Sequence, residues 1–291
     1  MSASLTRRSF VAGTAAASVA AVAVASTAVA DEAAPALEVA QVNAGWLEPE
    51  PETPEPAETV EVEALVIGGG TGGLEVGASL AEKGLKTLII EQNADVSTLR
   101  NDWGAIGSKY QQEEGTELDE RAIMNYHVMQ NSGRFDQRLP KIWARESAEA
   151  IDWVGGVLES YGAVMLHEGG YEAAVGLDVI PKFATGHSAH FDNSEYEDGK
   201  SILKQYILDN GGEFRFNTKF VKFEHDGKKV TAAIAQDTET GDYIRFVGTK
   251  GIVLAAGGYQ NNAEMMAALQ PETVGLFGMQ IGSTVYGDGI K

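Results

Sequence analysis

Three glycines after a mostly apolar run could bind the phosphates of a nucleotide. Residues 62–67 form that run, and Gly68, Gly70 and Gly73 follow it with the spacing G-x-G-x-x-G. In such a turn the first glycine allows the tight bend and the second lets a pyrophosphate approach the backbone. The third lets the next helix pack closely. The start of that helix adds unpaired N–H groups and positive dipole density. The spacing therefore predicts a dinucleotide-binding site.

The carboxylate of Glu91 is the second candidate for cofactor chemistry. It ends a second apolar run, residues 87–90, and it lies at about the 20-residue offset where an acid binds a ribose hydroxyl. Between the two runs, residues 74–81 have the apolar spacing of a helix. A glycine-rich turn is by itself also a common structural device. Here the strand before the turn and the helix and acid after it favour dinucleotide binding.

Composition excludes several classes of site. The chain has 291 residues, a formal net charge of -20 and no cysteine. Disulfides, thiolate iron–sulfur ligation, a C-x-x-C-H haem site and a cysteine nucleophile are therefore excluded. No metal-ligand spacing and no Ser–His–Asp arrangement stands out. The acidity argues against nucleic acid as a partner, although solubility is the plainer reading of this charge.

The first 60 residues are predicted to be an export signal and a linker. Arg7 and Arg8 precede an uncharged run rich in Ala and Val that ends in small residues before Asp31. This pattern predicts a cleaved twin-arginine-type signal peptide at 1–30 and an exported protein, with an uncleaved membrane anchor as the rival reading. Residues 31–60 are predicted to be a linker, because they are acidic and Pro alternates with Glu within 49–56, which is typical of an extended segment. The domain itself is assigned to residues 61–291.

The elements that must position the glycines and Glu91 follow from hydrophobic spacing. After Glu91 comes a loop-like stretch, 92–108, then a helix at 117–131 with a capping box at Thr116 and Asp119. A second helix begins near Pro140 and contains Gly155 and Gly156, which indicate either close packing or a break. Residues 183–199 are predicted to be irregular and carry His187 and His190, the two candidates for a catalytic histidine.

The C-terminal half is predicted to be mostly strands. The pattern favours a helix at 200–210. Five strands follow, at 213–216, 220–224, 230–236, 243–248 and 251–256, and the last of them ends in a glycine turn. A nicotinamide domain would instead continue with alternating strands and helices. The prediction is an α/β fold: an FAD-binding, Rossmann-like parallel sheet with a helical insertion and an antiparallel β-meander.

The sequence resembles a known family, the FAD-dependent fumarate reductase and succinate dehydrogenase flavoproteins. The resemblance includes exported soluble relatives that act on fumarate, urocanate or 3-ketosteroids. It covers residues 62–291, and its motifs are the glycine turn with Glu91, residues 134–137, residues 254–259 and Gly287-Asp288-Gly289.

The resemblance implies a role for each matching residue. Gly68, Gly70 and Gly73 hold the FAD pyrophosphate and Glu91 the ribose. The other implied FAD contacts are Ser97, Thr98, Gly104, Ala105, Phe220 (through its backbone, to the adenine), Ala256, Gly257 and Asp288. Because residues 92–108 contain no histidine, the flavin is expected to be bound non-covalently.

The resemblance also implies an activity and a limit. In this family a hydride passes between flavin N5 and an activated C=C bond of a small enoate or enone. Electrons come from a separate protein or domain. The family continues beyond the G-D-G motif into a clamp domain and a C-terminal flavin segment, so this chain is expected to be an N-terminal portion with catalytic residues unassigned. Two alternatives stay open: a flavoprotein that binds FAD or carries electrons without catalysis, and an NAD(P)-dependent oxidoreductase.

Overall fold

The computed structural model describes residues 51–96, 101–131, 133, 136–169, 183–272, 274 and 285–290. The predicted signal peptide and most of the predicted linker lie outside these residues. No helix within the described ranges is long and apolar enough to cross a membrane.

The described residues form nine strands and six helices. The strands are β1 Glu58–Ile67, β2 Thr87–Ile90, β3 Asp102–Gly104, β4 Val164–Gly169, β5 Gly186–His190, β6 Glu213–Arg215, β7 Thr218–Asp226, β8 Lys229–Asp237 and β9 Tyr243–Leu254. The helices are α1 Thr71–Glu82, α2 Lys109–Glu113, α3 Glu120–Gln130, α4 Arg138–Ser160, α5 Gly199–Asp209 and α6 Ala263–Leu269.

A six-stranded sheet with the order β6-β2-β1-β9-β8-β7 carries the fold. The first four strands in this order are parallel, and β8 and β7 continue the sheet as an antiparallel meander. This confirms the predicted fold class. In a parallel sheet the carboxyl ends of the strands share one edge, so the turn after β1 and the ends of β2 and β9 meet there.

One element differs from the prediction in a way that matters for the site. The predicted strands at 243–248 and 251–256 are one continuous strand, β9, which pairs in parallel with β1 along its whole length. Gly248 and Gly251 flank a bulge, where Val62 faces Gly248 and Ala64 faces Gly251. The two glycines therefore mark a bulge within a strand and not a turn between strands. The sheet also extends to Glu58, three residues into the predicted linker.

Alternating side chains divide the core between the two faces of the sheet. On one face Val66 and Ile89 pack against α1, α4 and α5. On the other face Leu65, Ile67, Leu88 and Ile90 pack with Phe220 and Phe246 of the meander, together with Ala233, Ala235 and Ile244. Because strands buried on both faces read as continuous apolar runs, β1 and β2 were recognisable from sequence.

A small second sheet forms where the sequence analysis predicted no strand. Its order is β3-β5-β4, and both pairings are antiparallel. The stretch 183–199, predicted to be irregular, thus contains β5, and the loop 92–108 contains β3 and Ser108, the N-cap residue of α2. Trp103 pairs with His187 and Leu166 with Ser188, so partners that lie far apart in sequence hold this sheet together.

Two helix starts also differ from prediction. α3 begins after Asp119, whose carboxylate accepts hydrogen bonds from the N–H groups of Arg121 and Ala122. Thr116 therefore does not cap it. The capping box belongs instead to Ser108 and Gln111 at the start of α2. α4 begins two residues before Pro140, which occupies its first turn, where no intrahelical N–H bond is lost.

The adjacent glycines of α4 should respond oppositely to the same substitution. The helix runs through both without a break. A Cβ on Gly155 would lie 2.0 Å from the hydroxyl oxygen of Tyr110, which donates to Glu159, whereas a Cβ on Gly156 would meet open space. We expect Gly156→Ala to stabilise the fold by about 0.5–1 kcal/mol. Gly155→Ala should destabilise it by about 1–3 kcal/mol, because the tyrosine must move.

Urea unfolding of the two variants against wild type measures both effects. Equal stabilisation by both substitutions would contradict the packing of Tyr110 against α4.

Candidate cofactor site

The turn after β1 has the geometry that its glycines predict. Gly68 has a φ of 106° and its N–H donates to the carbonyl of Ile90 at 2.8 Å. A Cβ on Gly68 would lie 2.4 Å from the carbonyl oxygen of Ala255, and one on Gly73 would lie 1.8 Å from the carbonyl oxygen of Gly68. Both positions therefore accept only glycine, and the close approach joins β1, α1 and the end of β9.

Helix α1 starts at this turn with an uncapped N-terminus. Gly70 is its N-cap residue and provides no side-chain hydrogen bond, and its first turn contains no acidic residue. The first N–H groups of a helix have no partner within the helix, and the helix dipole favours an anion beside them. Such an end fits a phosphate group.

Glu91 fixes the other side of the turn. The residue is 6% exposed, and its carboxylate accepts a hydrogen bond from the Gly69 N–H at 2.7 Å. The second oxygen accepts from the backbone N–H and the side-chain amide of Asn93, at 2.9 and 2.6 Å. Each carboxylate oxygen has two lone-pair directions, so these bonds leave acceptor capacity for a ribose hydroxyl.

One cavity brings most of the predicted cofactor residues together. It is lined by Gly68, Gly70, Glu91, Phe220, Ala256, Gly257 and Asp288. Its volume is about 220 Å³, and it is partly open to solvent. A glycine cradle, an uncapped helix start and a buried carboxylate are a donor and acceptor set that fits a dinucleotide.

The other predicted contacts lie elsewhere. Gly73 serves the packing of α1 and does not line the cavity. Gly104 lines a separate cavity beside α4, where its carbonyl accepts from Trp143 Nε1 at 2.8 Å. Ala105 is fully buried in the core beneath the small sheet. Ser97 and Thr98 fall outside the described residues. The FAD contacts assigned to these residues stay predictions.

The sequence analysis missed two buried polar residues that line the cavity. Thr218 is 1% exposed, and its backbone N–H donates to the Glu91 carbonyl at 2.8 Å, which ties β7 to the end of β2. Lys200 is 2% exposed in the first turn of α5. One signal was available for it, because Lys200 falls on the same helical stripe as the apolar Leu203 and Ile207.

His187 occupies a core position and not a reactive one. It is fully buried. Its Nδ1–H donates to the Thr185 carbonyl at 2.9 Å, so Nε2 accepts from the hydroxyl of Ser108 at 2.7 Å. Burial lowers the pKa of His187, and the nearby His167 lowers it further. A neutral, doubly hydrogen-bonded imidazole stabilises the small sheet and the start of α2.

The lowered pKa of His187 makes a prediction about stability and pH. The unfolded chain takes up a proton near pH 6.5, while the folded protein does so only at lower pH. The contribution of His187 is therefore complete above about pH 6.5 and is lost progressively as the pH falls below it. We expect His187→Gln to unfold more easily at pH 7.5, with a smaller further loss between pH 7 and 5.5 than in wild type.

Urea unfolding at several pH values tests this, with His190→Gln on the exposed end of β5 as the matched control. If His187→Gln retained the full wild-type slope, the neutral state of His187 would be refuted.

A parallel sheet with a glycine turn, a buried carboxylate at the end of the second strand and an antiparallel meander is typical of the class of dinucleotide-binding flavoprotein folds. Residues 63–291 match the family model described as "FAD binding domain". The chain therefore belongs to this family, with FAD as its cofactor, and it is similar to the FAD-dependent fumarate reductase and succinate dehydrogenase flavoproteins.

Individual relatives agree with this assignment. The chain is 26% identical over 228 residues to a probable fumarate reductase, Ifc3, of Shewanella frigidimarina, covering 74% of this chain and 35% of the relative. The open conformation of a flavocytochrome c3 fumarate reductase is 26% identical with a TM-score of 0.58, over 80% of this chain and 40% of that one.

A 3-ketosteroid-Δ4-(5α)-dehydrogenase of Rhodococcus jostii shares the fold at 17% identity. Its TM-score is 0.57, over 76% of this chain and 50% of that one. The chain thus spans about a third to a half of the length of these relatives.

Proposed function

We propose that FAD lies along the cavity with its diphosphate at the start of α1. Gly68 and Gly70 form the cradle, and Glu91 binds the adenosine ribose. The adenine meets the backbone beside Phe220, where a bulge at Val221 interrupts the β7–β8 ladder. Ala256, Gly257 and Asp288 line the cavity at the end of β9 and in the G-D-G segment, and they contact the flavin side.

The proposed activity is that of a fumarate-reductase-type oxidoreductase acting on an activated C=C bond. FAD, when bound, supplies hydride chemistry to an enoate or enone substrate. The part of the chain that the structure describes binds and orients the cofactor and shields its adenosine end from water. The observation that supports this function is the single cavity that joins the glycine turn, Glu91 and the G-D-G segment. A separate protein or domain delivers the electrons, since the chain has no cysteine or C-x-x-C-H haem motif.

Flavin content and alkene reduction test this proposal together. The purified full chain is reconstituted with FAD, its flavin spectrum is recorded, and it is assayed with a low-potential dye over a panel of enoates and enones. Stoichiometric, acid-releasable FAD with oxidation of the dye by one substrate class is expected. Bound flavin that is reduced and reoxidised without consuming any alkene would instead identify a binding or electron-carrier protein. Binding of NAD(P) and not FAD would contradict the cofactor site.

Export is proposed from residues 1–30, where Arg7 and Arg8 precede the uncharged run. The protein would then act outside the cytoplasm after cleavage of the signal, with the acidic, Pro-rich segment at its N-terminus. Cell fractionation of wild type beside a variant with Arg7→Lys and Arg8→Lys tests this. Equal distribution of the two proteins would contradict twin-arginine export.

A further inference from the structure

Lys200 places a buried ammonium group at the cofactor cavity. The residue is 2% exposed, lies in the first turn of α5 and lines the cavity together with Glu91, Thr218 and Phe220. Lysine is almost never buried unless it is paired. Its position at the start of α5 is also unusual, because the positive end of the helix dipole disfavours a cation there.

The described part of the chain gives this ammonium group no direct partner. No carboxylate among those residues lies within ion-pair distance of Lys200, and none of them accepts a hydrogen bond from Nζ. Asp198 and Asp102 act on it only at longer range, and the Asp198 carboxylate already caps α5 by accepting from the Ser201 N–H at 2.7 Å. Burial lowers the pKa of Lys200 as a result. A buried cation without a partner is costly, so a ligand must offset it for the group to be charged.

The charges along the cavity indicate which ligand this is. Among the described residues that line the cavity, Lys200 has the cationic side chain, whereas Glu91 and Asp288 have carboxylates. The diphosphate is the anionic part of FAD, and in the absence of Lys200 the helix start of α1 would have to offset both its charges and the two acids. An ammonium–phosphate hydrogen bond is among the stronger polar contacts in proteins.

We propose that Lys200 binds the diphosphate of FAD through its ammonium group and so serves as the counter-charge that α1 alone does not provide. This inference rests on the FAD site proposed above. It has a distinctive consequence, because the same ammonium group destabilises the protein without flavin and strengthens the binding of FAD. Lys200→Met, which removes the charge but keeps an unbranched side chain one atom shorter, should therefore change stability and affinity in opposite directions.

The test compares Lys200→Met, Lys200→Arg and wild type as deflavinated full chains. Quenching of flavin fluorescence gives the dissociation constant of FAD, and competition against FAD gives those of ADP and adenosine. Lys204→Met is the matched control, since Lys204 lies one turn further along α5 and pairs with Asp95 at 2.6 Å.

We expect Lys200→Met to weaken FAD and ADP by roughly tenfold or more and adenosine by less than about twofold. Its apoprotein should unfold at a temperature no lower than wild type. Lys200→Arg should retain most of the affinity, and the affinity of wild type should fall more steeply with added salt than that of Lys200→Met.

Several outcomes would overturn the assignment. They are an unchanged FAD affinity in Lys200→Met, an equal loss for adenosine, or a destabilised apoprotein whose lost affinity Lys200→Arg does not restore. Gly70→Ala and Glu91→Gln separate this failure from failure of the whole site. If these two variants lose FAD while Lys200→Met retains it, only the role of Lys200 is wrong. If all three bind FAD as wild type does, the proposed FAD site is wrong as well.

Discussion

Gly73→Ala is expected to prevent folding of the domain, whereas Gly70→Ala leaves it folded and without high affinity for FAD. A methyl group on Gly73 would lie 1.8 Å from the carbonyl oxygen of Gly68, and this obstacle is backbone that cannot rotate away. Helix α1 would have to move off the end of β1 and disrupt the core around Leu74. Overpacking of this kind costs about 3 kcal/mol or more where backbone must shift.

Substitution of Gly70 should affect the binding of FAD without affecting the packing of the fold. A methyl group there would meet open space at the cavity wall, and the backbone has a φ of -80° that any residue adopts. We expect Gly70→Ala to change the free energy of unfolding by less than about 1 kcal/mol. The affinity for FAD should fall by roughly a hundredfold, because the methyl group takes space that the pyrophosphate needs.

Thermal unfolding and flavin-fluorescence titration of both variants measure these effects. Normal FAD affinity in Gly70→Ala would show that the diphosphate does not approach this part of the turn. A folded, stable Gly73→Ala protein would show that α1 and β1 are further apart than the structure places them.

Glu91→Gln should be the most damaging substitution of a side chain in the cavity. The amide oxygen of glutamine can still accept from the Gly69 N–H. Its NH₂ group then faces the backbone N–H and side-chain amide of Asn93, which are donors too. Unsatisfied donors in a buried position cost about 1–3 kcal/mol. Loss of the carboxylate should also weaken FAD by roughly tenfold to a hundredfold, because an amide binds ribose hydroxyls less strongly.

Urea unfolding of the apoprotein and FAD titration distinguish the two effects. Glu63→Gln provides the control, since Glu63 lies on β1, the strand that precedes the glycine turn, and its carboxylate pairs with Lys250 on the surface. This control should bind FAD as wild type does. If Glu91→Gln lost stability but no FAD affinity, Glu91 would support only the turn, and ribose binding would have to be assigned elsewhere.

The sequence predicted the elements whose signals are local. β1, the glycine turn, α1 and β2 combine buried apolar runs with a turn whose backbone only glycine adopts, so the position of Glu91 followed directly. The helix predicted at 200–210 and the strands of the meander had regular spacing and glycine turns at their ends. Their bounds shifted by a few residues, as element ends usually do.

Features that depend on distant partners could not be predicted in this way. Residues of β3, β4 and β5 have weak strand signals, and their pairing exists only because the rest of the fold brings residues 102 and 188 together. Gly248 and Gly251 gave the signal of a turn, yet pairing with β1 made it a bulge. The helical stripe of Leu203 and Ile207 indicated that Lys200 faces the core, but its place in the wall of the cavity depends on residues from β2 and β7 and could not be predicted.

The long pairing between β1 and β9 sets the order in which the protein can assemble. β1 can pair with β2 soon after both have been synthesised. Ile67 can pair with Leu254, and Gly68 can pack against Ala255, only after nearly 190 more residues have been added. Contacts of such sequence separation form late because a long loop must close first. A nascent chain on the ribosome therefore exposes the edge of β1 until β9 has been synthesised. Because Ala255, Ala256 and Gly257 follow β9 and line the cavity, we expect the complete FAD site to form only after β9 has joined the sheet.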